Sequence, residues 1–261
     1  MDYLAITIIT LTSGVVGTGL GGLLGGAFKR DSDKIISILL AFAAGVMLSI
    51  VCFDLMSAPI SKMRQGLLPS FTPIIVAIAV IIGYCLVYFL NRFIDGRAAL
   101  SKKASSKSSL FVAGITLIVA IAVHNLPEGM VIGASYANQP NMLANLFKSS
   151  GFIMAIVIGM HNIPEGMAIC VPLLTGGMKK TKAVLLTALS GLPTVFGALL
   201  GYSLGGINDV ALILSLGFAS GAMLYVALGE LIPQAITLWK SKLTSFSLFT
   251  GLLVGFLLVM V

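Results

Sequence analysis

Charged side chains are scarce in this sequence of 261 residues. Asp, Glu, Lys and Arg together make up 10% of the chain, whereas hydrophobic residues make up 58%. Soluble domains carry about 25% charged residues, so an ordinary water-soluble domain is excluded. The composition instead predicts a membrane protein that crosses the bilayer several times.

Cysteine is also rare, and its three copies, Cys52, Cys85 and Cys170, all fall inside apolar runs. Cysteines placed in this way do not indicate a disulfide framework. Cys170 follows the second of two motifs described below and could serve there as a soft metal ligand. A buried thiol more commonly packs as a small hydrophobic group, and we favour that interpretation.

A basic surface patch is missing as well, although the formal net charge is +7. The Lys and Arg residues lie in the gaps between apolar runs and are not interleaved with aromatic residues. This distribution is not typical of nucleic-acid binding, and we expect no nucleic-acid partner.

Eight apolar runs of about 20 residues or more are long enough to cross a hydrocarbon core of about 30 Å. We predict spans at residues 3–27, 35–57, 70–94, 109–135, 150–175, 182–205, 209–236 and 243–261, which form one transmembrane domain over residues 1–261. No basic segment precedes the first run, so we interpret it as a retained span and not as a cleaved signal.

The basic residues predict how these spans are oriented. Of the 16 Lys and Arg residues, 13 fall on alternate connections, and the other side has only Lys62, Arg64 and Lys148. Cytoplasmic loops are enriched in Lys and Arg. Eight spans with both termini outside the cytoplasm satisfy this rule.

Histidine and glutamate are the rarest ionisable residues, with two and three copies. Two near-identical heptapeptides take most of them: His-Asn-Leu-Pro-Glu-Gly-Met from His124, and His-Asn-Ile-Pro-Glu-Gly-Met from His161, 37 residues later. In each copy His and Glu are four residues apart and therefore lie on one helix face. Imidazole and carboxylate together suit a divalent transition metal.

An alternative is that each histidine simply pairs with the glutamate of its own helix, Glu128 or Glu165. Two copies with Pro and Gly at matching offsets favour a shared metal site. Pro127 and Pro164 each remove a helical hydrogen bond, so we expect a kink and an exposed carbonyl beside the ligands. Unwound backbone at membrane depth is tolerated where it lines a polar cavity.

Two further acidic residues fall inside predicted spans. Asp54 lies toward the outer end of the second span and Glu230 toward the inner end of the seventh. A charge at the bilayer centre costs roughly 3 kcal/mol, so intramembrane acids commonly mark an ion path. The alternative for each is a helix-end residue that reaches the membrane surface.

The paired heptapeptides resemble those of the ZIP (Zrt-, Irt-like protein) family of divalent-metal transporters, in its bacterial-type branch. Segments 43–47, 190–192 and 230–233 resemble the family too. The resemblance implies an all-α bundle of eight helices in a 3+2+3 arrangement, with spans 1–3 and 6–8 as inverted repeats. It also implies a homodimer in a cell membrane, of the bacterial inner-membrane type, that moves metal toward the cytoplasm.

The same resemblance implies which residues hold the metal. The implied ligands and neighbouring positions are His124, Asn125, Glu128, His161, Asn162 and Glu165, with Met47 beside the site. Many relatives have a glutamate on the sixth span that helps to hold a second ion. Thr194 occupies that position here, so we expect one tightly held metal and a weak or absent second site.

These observations favour a transporter that carries zinc, iron(II), manganese or cadmium as its substrate, with no cofactor. Two glutamates neutralise one divalent cation, which makes burial of the loaded site tolerable. An intramembrane metallo-hydrolase is the alternative, but the chain lacks His-Glu-x-x-His and has acids spread toward both membrane faces. A purely structural membrane protein would not require ionisable groups at the midplane.

Overall fold

Long helices dominate the protein. The computed structural model describes residues 2–27, 33–66, 68–100, 106–137 and 144–260, and these ranges contain no strand. The eight long helices of these ranges are α1 (Asp2–Gly25), α2 (Asp33–Ser61), α3 (Thr72–Leu100), α4 (Ser106–Ala137), α5 (Ser150–Thr175), α6 (Lys180–Gly205), α7 (Asp209–Leu238) and α8 (Lys242–Met260).

Among the described residues, seven helices are long and apolar enough to cross a membrane, namely α1, α2, α3, α5, α6, α7 and α8. Helices suit this role because they satisfy their backbone hydrogen bonds internally, without water. The most apolar windows of α2 and α5 are 67% buried, whereas those of α3 and α8 are 22% buried. Within the described chain, α2 and α5 are therefore central and α3 and α8 peripheral.

The helices pack in reciprocal pairs. α1 packs along α5 and α6 along α4, while α2 packs along α8 and α7 along α3. Helices α4 and α5, which carry the two heptapeptides, also pack against each other. The two copies of the motif are therefore brought together at the centre of the bundle.

Glycines at the helix crossings permit these close contacts. A methyl group added at Gly129 of α4 would overlap the carbonyl oxygen of Thr194 on α6, and one at Gly166 of α5 would overlap that of Thr18 on α1. Small residues allow helix backbones to approach closely in lipid. The single Gly of each heptapeptide thus allows its helix to pack closely against α6 or α1.

Within the eight long helices as described, the backbone departs from regular α-helix at four places. Three are π-helical segments, Leu11–Val16 in α1, Val51–Leu55 in α2 and Val226–Leu231 in α7. The fourth is a break at residues 191–192 of α6, just before Pro193. By contrast, α4 and α5 continue as α-helix through Pro127 and Pro164.

The predicted spans differ from these helices mainly at the connection between the third and the fourth. The spans predicted at 70–94 and 109–135 leave the Ser- and Lys-rich residues 95–108 as a connecting loop, but α3 extends to Leu100 and α4 begins at Ser106. That prediction is therefore wrong outside residues 101–105, which lie beyond the described residues. Polar composition alone did not separate a loop from the polar end of a helix.

Candidate metal site

The two heptapeptides meet in one buried cluster. Glu128 comes from α4, while His161 and Glu165 come from α5, and none of the three exceeds 3% exposure. One ligand atom from each lies within 4.8 Å of the others. A hydrogen bond of 2.8 Å joins His161 Nε2 and Glu128 Oε1. This hydrogen bond connects the two copies of the motif.

This cluster has the chemistry of a transition-metal site. It offers one imidazole and two carboxylates, a mixed N/O donor set that suits zinc, iron(II) or manganese. Two ionised carboxylates balance the charge of one divalent cation, which offsets the cost of holding that ion away from water. Within the described chain, no other group of three His, Cys, Asp or Glu side chains converges in this way.

Two asparagines flank the cluster, three residues before each glutamate. Asn125 Nδ2 donates a hydrogen bond to the Ser190 carbonyl oxygen at 2.8 Å, and Asn162 Nδ2 donates to the Ser13 carbonyl oxygen at 3.1 Å. Both Oδ1 atoms are buried and accept no hydrogen bond from the described residues. Each asparagine thus presents a buried oxygen that a cation can use.

The other predicted ligands stand differently. The side chain of His124 lies outside the described residues, so its role as a ligand stays a prediction. Met47 is fully buried and belongs to the main hydrophobic core, together with Met223 of α7. Cys170 packs in a separate small apolar cluster that includes Leu173, as expected for a thiol that acts as a hydrophobic group.

Asp54 and Glu230 lie outside the three-residue cluster, and each occupies a π-helical segment. Such segments often occur at functional sites. Each acid is 21 residues from the start of its helix, about 30 Å along the axis. Ser37 near the start of α2 donates a hydrogen bond to Ala235 near the end of α7. The two helices are therefore antiparallel, and the acids lie toward opposite ends.

Thr194 lies where α6 crosses α1 and α4. It is fully buried, and its Oγ1 has no hydrogen-bond partner among the described residues. A Cβ added at Gly14 of α1 would lie 2.7 Å from Thr194 Cβ. The position thus offers a neutral hydroxyl in a tightly packed place.

A second internal repeat escaped the sequence analysis. Residues 42–48 read Phe-Ala-Ala-Gly-Val-Met-Leu, and residues 218–224 read Phe-Ala-Ser-Gly-Ala-Met-Leu. The alignment pairs Met47 with Met223 and, seven residues later, Asp54 with Glu230. A search for internal repeats across all spans would have found it.

Asn125 and Asn162 were predicted, but the serine carbonyls that hold them have no sequence signal, because they belong to the backbone.

Comparisons with known proteins identify the family to which this chain is similar. The model of the family described as ZIP Zinc transporter matches residues 95–261. The chain is 31% identical over 239 residues to the zinc transporter ZupT of Chlorobium chlorochromatii, covering 87% of this chain and 86% of that protein. It is 31% identical to the ZupT of Chlorobaculum parvum, covering 94% and 93%, and 30% identical to that of Stenotrophomonas maltophilia strain R551-3, covering 94% and 90%.

Proposed function

Because this chain belongs to the ZIP zinc transporter family, we propose that it carries a divalent transition-metal cation across the membrane. The observation that supports this proposal is the buried cluster of Glu128, His161 and Glu165, built from both heptapeptides. The chain is a multi-pass membrane protein and not an enzyme, so the ion is its substrate and not a cofactor. The relatives are named zinc transporters, and zinc is the first candidate, with iron(II), manganese and cadmium as alternatives.

The proposed binding site contains the three clustered residues together with His124, Asn125 and Asn162, and Met47 lies beside it. Carboxylates supply the charge, and the imidazoles and amide oxygens complete the coordination. Transport runs toward the cytoplasm, with both termini outside it, in a bacterial cell membrane. The protein acts as a homodimer.

Eight spanning helices in a 3+2+3 arrangement complete the proposal. Exchange of α1 with α6, α2 with α7, α3 with α8 and α4 with α5 converts the packing pairs α1–α5 and α2–α8 into α4–α6 and α3–α7, and it leaves the pair α4–α5 unchanged. The same exchange relates Asn125 on Ser190 to Asn162 on Ser13, and Asp54 to Glu230. These correspondences support two inverted repeats around α4 and α5.

Zinc flux into proteoliposomes tests the function directly. Purified protein in vesicles that contain a zinc-sensitive dye should give a time-dependent signal that empty vesicles lack. Competition by iron(II), manganese and cadmium, at controlled pH on each side, then ranks the substrates. Bound zinc without flux in either direction would contradict transport and leave a binding protein.

The acids of the two π-helical segments should act on access and release, not on the stored ion. We expect Asp54→Asn and Glu230→Gln to slow zinc flux severalfold, because each removes a charge from the path that a cation follows. Both variants should still bind zinc with the affinity of the unchanged protein. Flux kinetics and equilibrium titration on the same preparation separate these effects, and a loss of affinity equal to the loss of flux would show that the acid holds the central ion.

One metal ion per chain should be held tightly. A neutral threonine at 194 cannot replace a carboxylate, and two dications sharing only Glu128 and Glu165 would leave two uncompensated positive charges in a low-dielectric site. Anomalous diffraction from crystals grown at moderate zinc concentration should give a single strong peak between α4 and α5. Two fully occupied peaks would mean that Asn125, Asn162 and water suffice for a second ion.

A further inference from the structure

The two site asparagines are anchored in the same way on different helices. Each donates its amide N–H to the backbone carbonyl of a serine that is followed by glycine, Ser190 on α6 for Asn125 and Ser13 on α1 for Asn162. The serine hydroxyls are engaged elsewhere, on the Thr187 carbonyl for Ser190 and, less closely, on the Thr10 carbonyl for Ser13. The shared feature is therefore the carbonyl and not the serine side chain.

The π-helical segment of α1 makes the Ser13 carbonyl available. In an α-helix the N–H of Gly17 would donate to the carbonyl four residues back, which is that of Ser13. Here Gly17 N–H bonds to Thr12, five residues back, and to Gly14. The Ser13 carbonyl loses its α-helical donor, and the Asn162 amide supplies another.

The break in α6 does the same for Ser190. A continuous α-helix would direct the N–H of Thr194 to the Ser190 carbonyl. Instead that N–H bonds to the Gly191 carbonyl at 3.2 Å. Pro193 has no N–H of its own. The Ser190 carbonyl therefore does not receive the hydrogen bond of Thr194 N–H, and it accepts one from the Asn125 amide instead.

α1 and α6 cross at the residues that follow these two serines. A Cβ at Gly14 would lie 2.5 Å from the Gly191 carbonyl oxygen, and one at Gly191 would overlap the Gly14 carbonyl oxygen. No space remains for either backbone to shift toward the other. The two acceptor carbonyls are therefore fixed with respect to each other.

We infer that Ser13 and Ser190 are positioning residues of the metal site. A carbonyl can only accept a hydrogen bond, so each amide must turn Nδ2 toward the serine and Oδ1 away from it. Both Oδ1 atoms are then held as buried metal-ligand atoms that need no rearrangement when the ion arrives. This inference rests on the proposed function, in which the asparagines are ligands, and it makes α1 and α6 part of the site through their backbone irregularities.

Pro193→Ala tests the α6 half. Alanine restores an N–H at 193 and permits a continuous helix, in which Thr194 N–H competes with Asn125 for the Ser190 carbonyl. Affinity for Co²⁺, read from the visible absorption of the purified protein, should fall about tenfold, as is typical when a group that orients a ligand is lost. Pro172→Ala, which also changes a proline within a helix, is the matched control and should bind Co²⁺ with unchanged affinity.

A double-mutant cycle distinguishes positioning from a general packing defect. If Pro193 acts through Asn125, Pro193→Ala should cause no further loss in an Asn125→Ala background. It should keep its full effect in an Asn162→Ala background, because Asn162 is anchored on α1. An unchanged affinity in Pro193→Ala alone, or full additivity with Asn125→Ala, would overturn the inference.

A structure of the unchanged protein with Cd²⁺ decides the question if Pro193→Ala does not fold. We expect both amide nitrogens on the serine carbonyls and both Oδ1 atoms facing the ion, and amides detached in the loaded state would overturn the assignment. Failure of the proposed function looks different. In that case the unchanged protein would not bind Co²⁺, or Glu165→Gln would bind it with the same affinity as the unchanged protein.

Discussion

Zinc binding should fall at least about a hundredfold when Glu128 or Glu165 is replaced by alanine, since breaking a buried ion pair typically costs 3 kcal/mol or more. Both carboxylates are fully buried, so water cannot replace the lost charge. His161→Ala and His124→Ala should weaken binding less, because loss of a neutral imidazole removes one donor and leaves the charge balance intact. Titration calorimetry of the purified variants measures all four affinities.

Glu128→Gln and Glu165→Gln are the matched controls for this charge argument. Glutamine keeps the size and one oxygen donor of glutamate but not its charge, so both variants should bind zinc as poorly as the alanine variants. Uptake into proteoliposomes should fall with binding. Histidine variants that bind worse than the glutamate variants, or glutamine variants that bind normally, would contradict the charge argument.

Folding should be strongly impaired when a methyl group is added to the glycine of either heptapeptide. In Gly129→Ala and Gly166→Ala the new Cβ overlaps a backbone carbonyl oxygen, of Thr194 or Thr18, and backbone cannot move aside as a flexible side chain can. Overpacking of this kind costs about 1–3 kcal/mol and sometimes more. We expect a clear decrease in the melting temperature of the detergent-solubilised protein and a lower yield of folded protein.

Gly206→Ala is the control for this packing argument. Gly206 is the C-cap residue that follows α6, and its added methyl would meet nothing closer than the Tyr202 carbonyl oxygen at 3.3 Å. Its melting temperature should stay close to that of the unchanged protein. Equal stability in all three variants would mean that α4 and α5 do not pack against α6 and α1 as closely as the structure has them.

The helices themselves could be predicted from the sequence, since a bilayer rewards long apolar runs and requires their backbone to be hydrogen-bonded internally. The prediction of a span at 150–175 coincides with α5, Ser150–Thr175. The break in α6 falls just before Pro193, in accord with the missing N–H of proline, whereas α4 and α5 stay α-helical through Pro127 and Pro164. The chemistry of the site was equally accessible, because the rare His and Glu residues recur in one repeated motif.

The tertiary structure alone decided which of these groups meet. Helical periodicity places His161 and Glu165 on one face, but only packing of α4 against α5 brings Glu128 to 2.8 Å from His161. The backbone irregularities were also out of reach. The π-helical segments of α1, α2 and α7 contain no proline that would mark them in the sequence. A π register depends instead on which neighbouring groups satisfy the displaced carbonyls. Ser13 shows this dependence, since its carbonyl accepts the Asn162 amide where α5 packs along α1.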